Sequence, residues 1–235
     1  MAAAGSGERL GAGGPKAFVP LAGRPLVEWS IEAFRAAPSV HSVVVAVPPG
    51  FEQQLGKGGV DVIVGGAARA ESVSNALETV GTELVAIHDA ARPLVTPELI
   101  EGVIATLVAD PDASGAIAAT PVTDTIKQIG AEVEVEGAAA PGCNVLSSYK
   151  GDKTLHRVET TLDRGRLWAA QTPQVFRVPA LRAALAADSD QTLAATDEAM
   201  LIEAAGGRVL IHPSPPENLK VTTPLDLKLA ELLLA

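Results

Sequence analysis

Short runs of β-branched and aliphatic residues alternate along this chain with stretches of helical periodicity. That order is the mark of parallel strands joined by crossover helices, so the pattern predicts an α/β fold. Strands are expected over Ser42–Val47, Val60–Val64, Leu84–His88, Gly115–Thr120, Leu167–Gln171 and Val209–His212. Several of these runs are apolar throughout, as strands buried on both faces are. Proline marks the helix starts, at Pro25 ahead of Leu26 to Ala36, at Pro97 after Thr96, at Pro179, and at Pro224 after Thr223. Between Ala70 and Val80 the residues Ala70, Val73, Leu77 and Val80 share one stripe, which predicts a helix packed on the sheet.

Two segments depart from this regularity. From Lys127 to Thr161 the alternation of Val and Glu around Gly130 to Glu136, and again from Thr154 to Glu159, predicts an excursion containing a β-hairpin. One apolar face there needs a covering loop or another subunit. At the other irregular point, Gly5 should follow a strand, yet only Met1 to Ala4 precede it. The simplest account is a start assigned too far downstream or a chain shortened at this end, with upstream residues expected to raise the melting temperature. With 235 residues and no linker, the chain is expected to form one domain over 1–235 with an arm at about 124–165.

Composition narrows the function. A net charge of -10 and an aromatic content of 3% argue against nucleic acid as a partner. Apolar runs fall short of the roughly 18 residues of a membrane span, and the first residues lack a secretory pattern, so no membrane and a cytoplasmic location are expected. The single cysteine, Cys143, has no companion for a disulfide or a metal site, and reads as incidental. Serine-hydrolase elbows, zinc-peptidase runs and CxxC pairs are absent from the sequence, as are a P-loop and the dinucleotide fingerprint.

What remains points to phosphate chemistry. In Gly5-Ser6-Gly7-Glu8-Arg9 to Pro15-Lys16, small residues let the backbone approach an anion while Arg9 and Lys16 supply positive charge. A glycine-rich turn with solvated basic side chains is the competing reading. His88-Asp89-Ala90-Ala91-Arg92-Pro93 follows an apolar run, so Asp89 should emerge at the carboxyl end of a strand, where open α/β sheets bind ligands. A carboxylate there can hold Mg²⁺ or orient a hydroxyl, and the Arg92 fork suits a phosphate. A capping Asp paired with a nearby Arg would look the same. His88 reads as a packed strand residue, and Trp29 and Trp168 as core. Asp124 to Lys127, Asp163-Arg164, Gln171 to Gln174 and Asn218 to Thr222 are further polar clusters that could equally be turns and caps.

Taken in order, these segments resemble the 2-C-methyl-D-erythritol 4-phosphate cytidylyltransferase family. The resemblance is carried by Ala3 to Leu10 with Pro15-Lys16, Gly65-Gly66 leading to Arg69 and Ser72-Val73, His88 to Pro93, Asp124 to Lys127, Thr161 to Arg164, Thr172 to Gln174, and Leu219 to Thr222. It implies a Rossmann-like nucleotidyltransferase fold with three layers, a mostly parallel central sheet and a protruding β-arm that builds a homodimer. It also implies CTP and methylerythritol phosphate as substrates, with Mg²⁺ as cofactor. By resemblance Ala3, Ala4, Gly5, Ser6, Gly7 and Lys16 hold the CTP phosphates, Gly66 and Ser72 read the cytosine, and Arg9 and Lys16 stabilise the transition state. Asp89, Arg92, Thr125, Arg164, Thr172 and Lys220 fall on the second substrate, with Asp89 also the metal position and Arg164 and Lys220 among the catalytic residues. Two departures stand out: the family's strand ahead of Ala2, and a segment from Gly130 to Glu159 longer than the family's arm. Ribitol-5-phosphate or another sugar phosphate as acceptor, and a nucleotide-binding remnant without catalysis, are the alternatives.

Overall fold

Period-two alternation shows directly in how the central strands divide their side chains between two helical layers. In the computed structural model, Ala116 and Ala118 face one apolar cluster and Ile117 between them faces another; Val175 and Phe176 divide in the same way. Described are residues 1–5, 14–55, 59–133, 155–187 and 195–234. Cys143 and the middle of the long excursion lie outside them. The chain forms two compact units, Met1–Thr120 with Ala170–Ala235, and Pro121–Ala169.

In the larger unit a short antiparallel ribbon, β1 (Pro20–Leu21) and β2 (Arg24–Pro25), leads into α1 (Leu26–Ala36). Then come β3 (Val44–Val47), α2 (Glu52–Leu55), β4 (Asp61–Val64), α3 (Arg69–Leu77), β5 (Leu84–Ile87) and α4 (Pro97–Val108). Thr96 caps α4 by accepting from the Leu99 N–H at 3.3 Å, with Pro97 at the first turn, as the sequence predicts. β6 (Gly115–Pro121) leads out to the smaller unit, where β7 (Lys127–Val133) and β8 (Leu155–Thr161) pair antiparallel with an irregular register. β9 (Trp168–Arg177) returns, followed by α5 (Val178–Ala187), α6 (Glu198–Ala204), β10 (Val209–Pro213) and α7 (Pro224–Leu234).

Two sheets form the centre of the larger unit, ordered β10-β6-β9-β5 and β3-β4. β10 runs parallel to β6 and β3 to β4, whereas β9 runs antiparallel to β5. β9 is longer than expected and reverses the sheet's direction, because it returns from the excursion rather than from a crossover helix. α1 and α4 cover one face through Val27, Ile31, Ile100, Val103 and Leu107. α3, α5 and α6 cover the other through Val73, Leu77, Leu181 and Ile202. Trp168 is 38% exposed rather than core. Trp29 is half-buried, donates its indole N–H to the Leu21 carbonyl at 3.1 Å and lies under the Arg24 guanidinium.

Residues 1–4 join the two sheets. Ala2 forms parallel bridges to both Ala46 and Asp89. Its N–H donates to the His88 carbonyl at 2.8 Å and its carbonyl accepts from Ala90 at 3.1 Å, while the Ala3 N–H reaches the Ala46 carbonyl at 2.9 Å. Alongside Met1 and Ala2, β3 and β5 diverge around a cavity of about 400 Å³, walled by Val44, Ala46, Val85, Ile87, Val73, Leu77 and Ile104. The Met1 ammonium lies beside it, donating to the Val44 carbonyl at 2.6 Å. Burial, reinforced by Arg69, lowers its pKa from 8.0 to about 6.

A folded-state pKa below the unfolded one means the unfolded chain binds more protons between those values, so stability rises with pH from about 6 to 8. Acetylating the Met1 ammonium is expected to abolish that rise in a pH series of melting curves. A rise unchanged by acetylation would refute the burial of this group.

Candidate functional site

Where the strands end, the backbone of residues 2–5 faces the start of α3 across a pocket of about 530 Å³. Ala3, Ala4, Gly5, Lys16, Gly66, Arg69, Ser72, Asp89, Lys220 and Thr222 line it. Among the expected nucleotide residues, the structure thus brings Ala3, Ala4, Gly5, Lys16, Gly66 and Ser72 together. Ser6, Gly7 and Arg9 lie outside the described residues. Lys16 opens a short 3-10 turn, Lys16–Phe18, and its N–H donates to the Gly5 carbonyl at 3.2 Å, which closes the loop's base.

The α3 side is set by close approach. A Cβ on Gly65 would stand 2.7 Å from the Ala4 methyl, so only glycine lets the two segments meet. Gly66 then donates its N–H to the Ser72 hydroxyl at 3.0 Å, and that hydroxyl donates to the Ala68 carbonyl at 3.1 Å. Glu71 accepts from the Ala67 N–H at 2.7 Å. This turn lines the pocket through Gly66, Ala67, Ala68 and Ser72.

Asp89 is the electrostatic centre. One carboxylate oxygen pairs with Arg69 Nη1, and the other lies 2.6 Å from Lys220 Nζ. Burial alone would raise its pKa, but the Arg69 and Lys220 charges outweigh burial and hold it well below the usual carboxylate range. Arg69 in turn spans to Glu198, with Nε 3.1 Å from Oε1 and Nη2 2.8 Å from Oε2. Despite desolvation, these two carboxylates hold the Arg69 pKa above its ordinary value.

Beneath this cluster lies a buried polar scaffold. His88 is fully buried against Phe34, bonded through one ring nitrogen to Thr172 Oγ1 at 3.0 Å and through the other to the Arg92 carbonyl at 3.2 Å. Thr172 also accepts from the Asp89 N–H at 3.0 Å. Arg92 donates to the Asn218 carbonyl at 2.7 Å, and burial lowers its pKa. The Asn218 amide donates to Gln171 and to the Thr172 carbonyl, at 2.8 and 3.0 Å. Val221 donates to the Ala91 carbonyl at 2.8 Å, which delivers Lys220 to the pocket. Thr125 and Arg164 belong to the smaller unit, where Arg164 donates to the Thr123 carbonyl at 2.6 Å.

Two participants had no role assigned from sequence alone. Arg69 entered only as part of a motif, and Glu198 not at all. An acid at the first residue of a helix reads as an ordinary favourable charge near the helix N-terminus, so Asp197-Glu198 carries no signal of burial. Mg²⁺ finds no ready-made protein site: among the described residues no three His, Cys, Asp or Glu gather, and both Asp89 oxygens already face cations.

The His88 environment yields a pH signature. Burial pushes its pKa down to about 3, far below the unfolded value of about 6.5. Between those values the unfolded state alone is protonated, so this group makes stability fall with falling pH by about 1.4 kcal/mol per unit. NMR is expected to show the His88 ring neutral down to pH 4; titration near 6.5 would refute its burial.

Comparison with known proteins gives the same reading. The profile of the IspD family, 2-C-methyl-D-erythritol 4-phosphate cytidylyltransferase, matches residues 1–140 and 132–235, two stretches that meet in the excursion. A protein of that name from Frankia casuarinae is 42% identical over 99% of this chain and 79% of its own. One from Symbiobacterium thermophilum is 39% identical over 99% and 90%. The crystal structure of the enzyme of that name from Thermus thermophilus superposes with a TM-score of 0.72 at 34% identity, covering 93% of each chain. That of Francisella tularensis gives 0.75 at 26% identity, covering 98% of this chain and 95% of its own. The chain belongs to the 2-C-methyl-D-erythritol 4-phosphate cytidylyltransferase family.

Proposed function

We propose that this chain transfers CMP from CTP to 2-C-methyl-D-erythritol 4-phosphate, forming 4-diphosphocytidyl-2-C-methyl-D-erythritol and releasing pyrophosphate. The observation that carries the reading is one pocket in which the turn Gly65–Ser72, the backbone of residues 3–5 with Lys16, and the Asp89–Lys220 pair converge. Base, phosphates and acceptor each have a wall of their own chemistry.

In this reaction a phosphate monoester oxygen attacks the CTP α-phosphorus in line, and the α-β bridging bond breaks. The attacking group is already anionic, so no general base is needed. The difficulty is to bring two anions together, and positioning with charge neutralisation supplies most of the catalysis. Lys16 and Arg9 serve the triphosphate. Lys220, Arg92 and Thr172 serve the acceptor phosphate, and Asp89 its hydroxyls. The Arg92 Nε is buried without a hydrogen-bond partner, which suits an anionic ligand. Mg²⁺ would be held mainly by the triphosphate oxygens, with Asp89 the nearest protein carboxylate of the pocket, and would supply further charge neutralisation there.

The working form is a homodimer in the cytoplasm, built through the β7–β8 hairpin. Ile129 and Val158 support this, being register partners exposed at 54% and 53%, an apolar pair that a second copy would cover. Among the described residues no helix is long and apolar enough to cross a membrane.

Pyrophosphate release from CTP and Mg²⁺ is expected with methylerythritol phosphate, and not with ribitol phosphate or without acceptor. Lys16→Ala should lower kcat/KM by on the order of 100-fold. Release with ribitol phosphate alone would reassign the acceptor, and silence with both would sink the enzymatic reading.

A further inference from the structure

Glu198 is 2% exposed, yet its carboxylate does not end in a closed pair. Both its oxygens take the Nε and Nη2 edge of Arg69, which fixes the guanidinium plane and leaves Nη1 for Asp89. A bidentate Arg–carboxylate pair is geometrically specific. Here the specificity is passed on, since Arg69 lines the pocket and Glu198 does not.

Glu198 itself is anchored from two directions. It begins α6, whose cap Asp197 accepts from the Met200 N–H at 3.0 Å with one oxygen and from the Gln174 amide at 2.8 Å with the other. Gln174 belongs to β9, the strand that also carries Thr172, whose hydroxyl accepts from the Asp89 N–H. The Asp89 backbone and side chain are thus referenced to one frame, the first through Thr172 and the second through Glu198 and Arg69. A pair that merely docked α6 on α3 would need no third member at the pocket.

We propose that Glu198, acting through Arg69, is a positioning residue that orients the Asp89 carboxylate toward the hydroxyls of the acceptor. The claim rests on the cytidylyltransferase reading above and adds a residue to it. Its function is to keep Arg69 from turning its whole fork onto Asp89. With Glu198 intact, Asp89 faces one N–H of Arg69 and stays available on its remaining lone pairs.

Glu198→Gln retains shape and one acceptor oxygen while removing the charge. The variant is expected to raise KM for methylerythritol phosphate by on the order of tenfold to a hundredfold, as misplacement of a binding group does, with KM for CTP unchanged. Adding Glu198→Gln to Arg69→Gln should cost nothing further, because both act on one path. A crystal structure of the variant should show Arg69 displaced from its single contact with Asp89. Wild-type protein silent on both substrates would fail the parent reading. An active wild type with an E198Q variant altered only in Tm, a double variant whose losses multiply, or an Arg69–Asp89 contact left in place in the variant crystal would each overturn this one.

Discussion

The double pairing of Ala2, to Ala46 on one side and to the His88–Ala90 turn on the other, holds the architecture together. Without it the β3–β4 and β5-containing sheets are separate, and each presents an unpaired edge to the interior. Backbone groups buried without partners are among the most unfavourable arrangements a fold can contain. The same segment lines the pocket through Ala2, Ala3, Ala4 and Gly5. Placement of this pocket-lining backbone is therefore a property of sheet assembly, and the flanking cavity lies next to these bridges.

Around the pocket the governing physics is charge compensation in a partly buried space. Arg69 and Lys220 carry the positive charge at Asp89, and Glu198 carries the second negative. Removing one member of such a set leaves an unpaired buried charge, which is much worse than never having had the pair. His88 stays neutral below this cluster because burial makes a further local cation unfavourable, and its ring serves as a hydrogen-bonding spacer between Thr172 and Arg92.

Much of the layer architecture could be read from residue order. The runs Val44–Val47, Asp61–Val64, Leu84–Ile87 and Val209–Pro213 announce themselves by β-branching, and Thr96-Pro97 announces a helix by its cap. The direction of β9 could not be read, because a run of apolar residues says nothing about which way it enters a sheet. Asp89 was legible as a strand-end carboxylate. Its tie to Arg69, and that of Arg69 to Glu198, were not, since they span 20 and 129 positions of chain and depend on how α3 and α6 pack. Arg92 was legible as a cation, whereas its burial beside Asn218 follows from the return of the chain after β10. Of the residues the resemblance names, Ala3, Ala4, Gly5, Lys16, Gly66, Ser72, Asp89 and Lys220 line the pocket, whereas Arg92 and Thr172 do not; only the fold supplies the wiring.

Lys220 is already neutralised within the protein, its ammonium held 2.6 Å from Asp89. An incoming group can win it only by offering at least as much negative charge, so the contact behaves as an ion-exchange site. An uncharged polyol offers nothing in trade and leaves the pair closed, however well its hydroxyls match. Under the proposed reaction the acceptor phosphate would open this contact, and the carboxylate, still held by Arg69, would gain an oxygen free for hydroxyls at that same moment. Selection for a phosphorylated acceptor would thereby be written into the protein's own pairing, before any contact with the carbon skeleton is made.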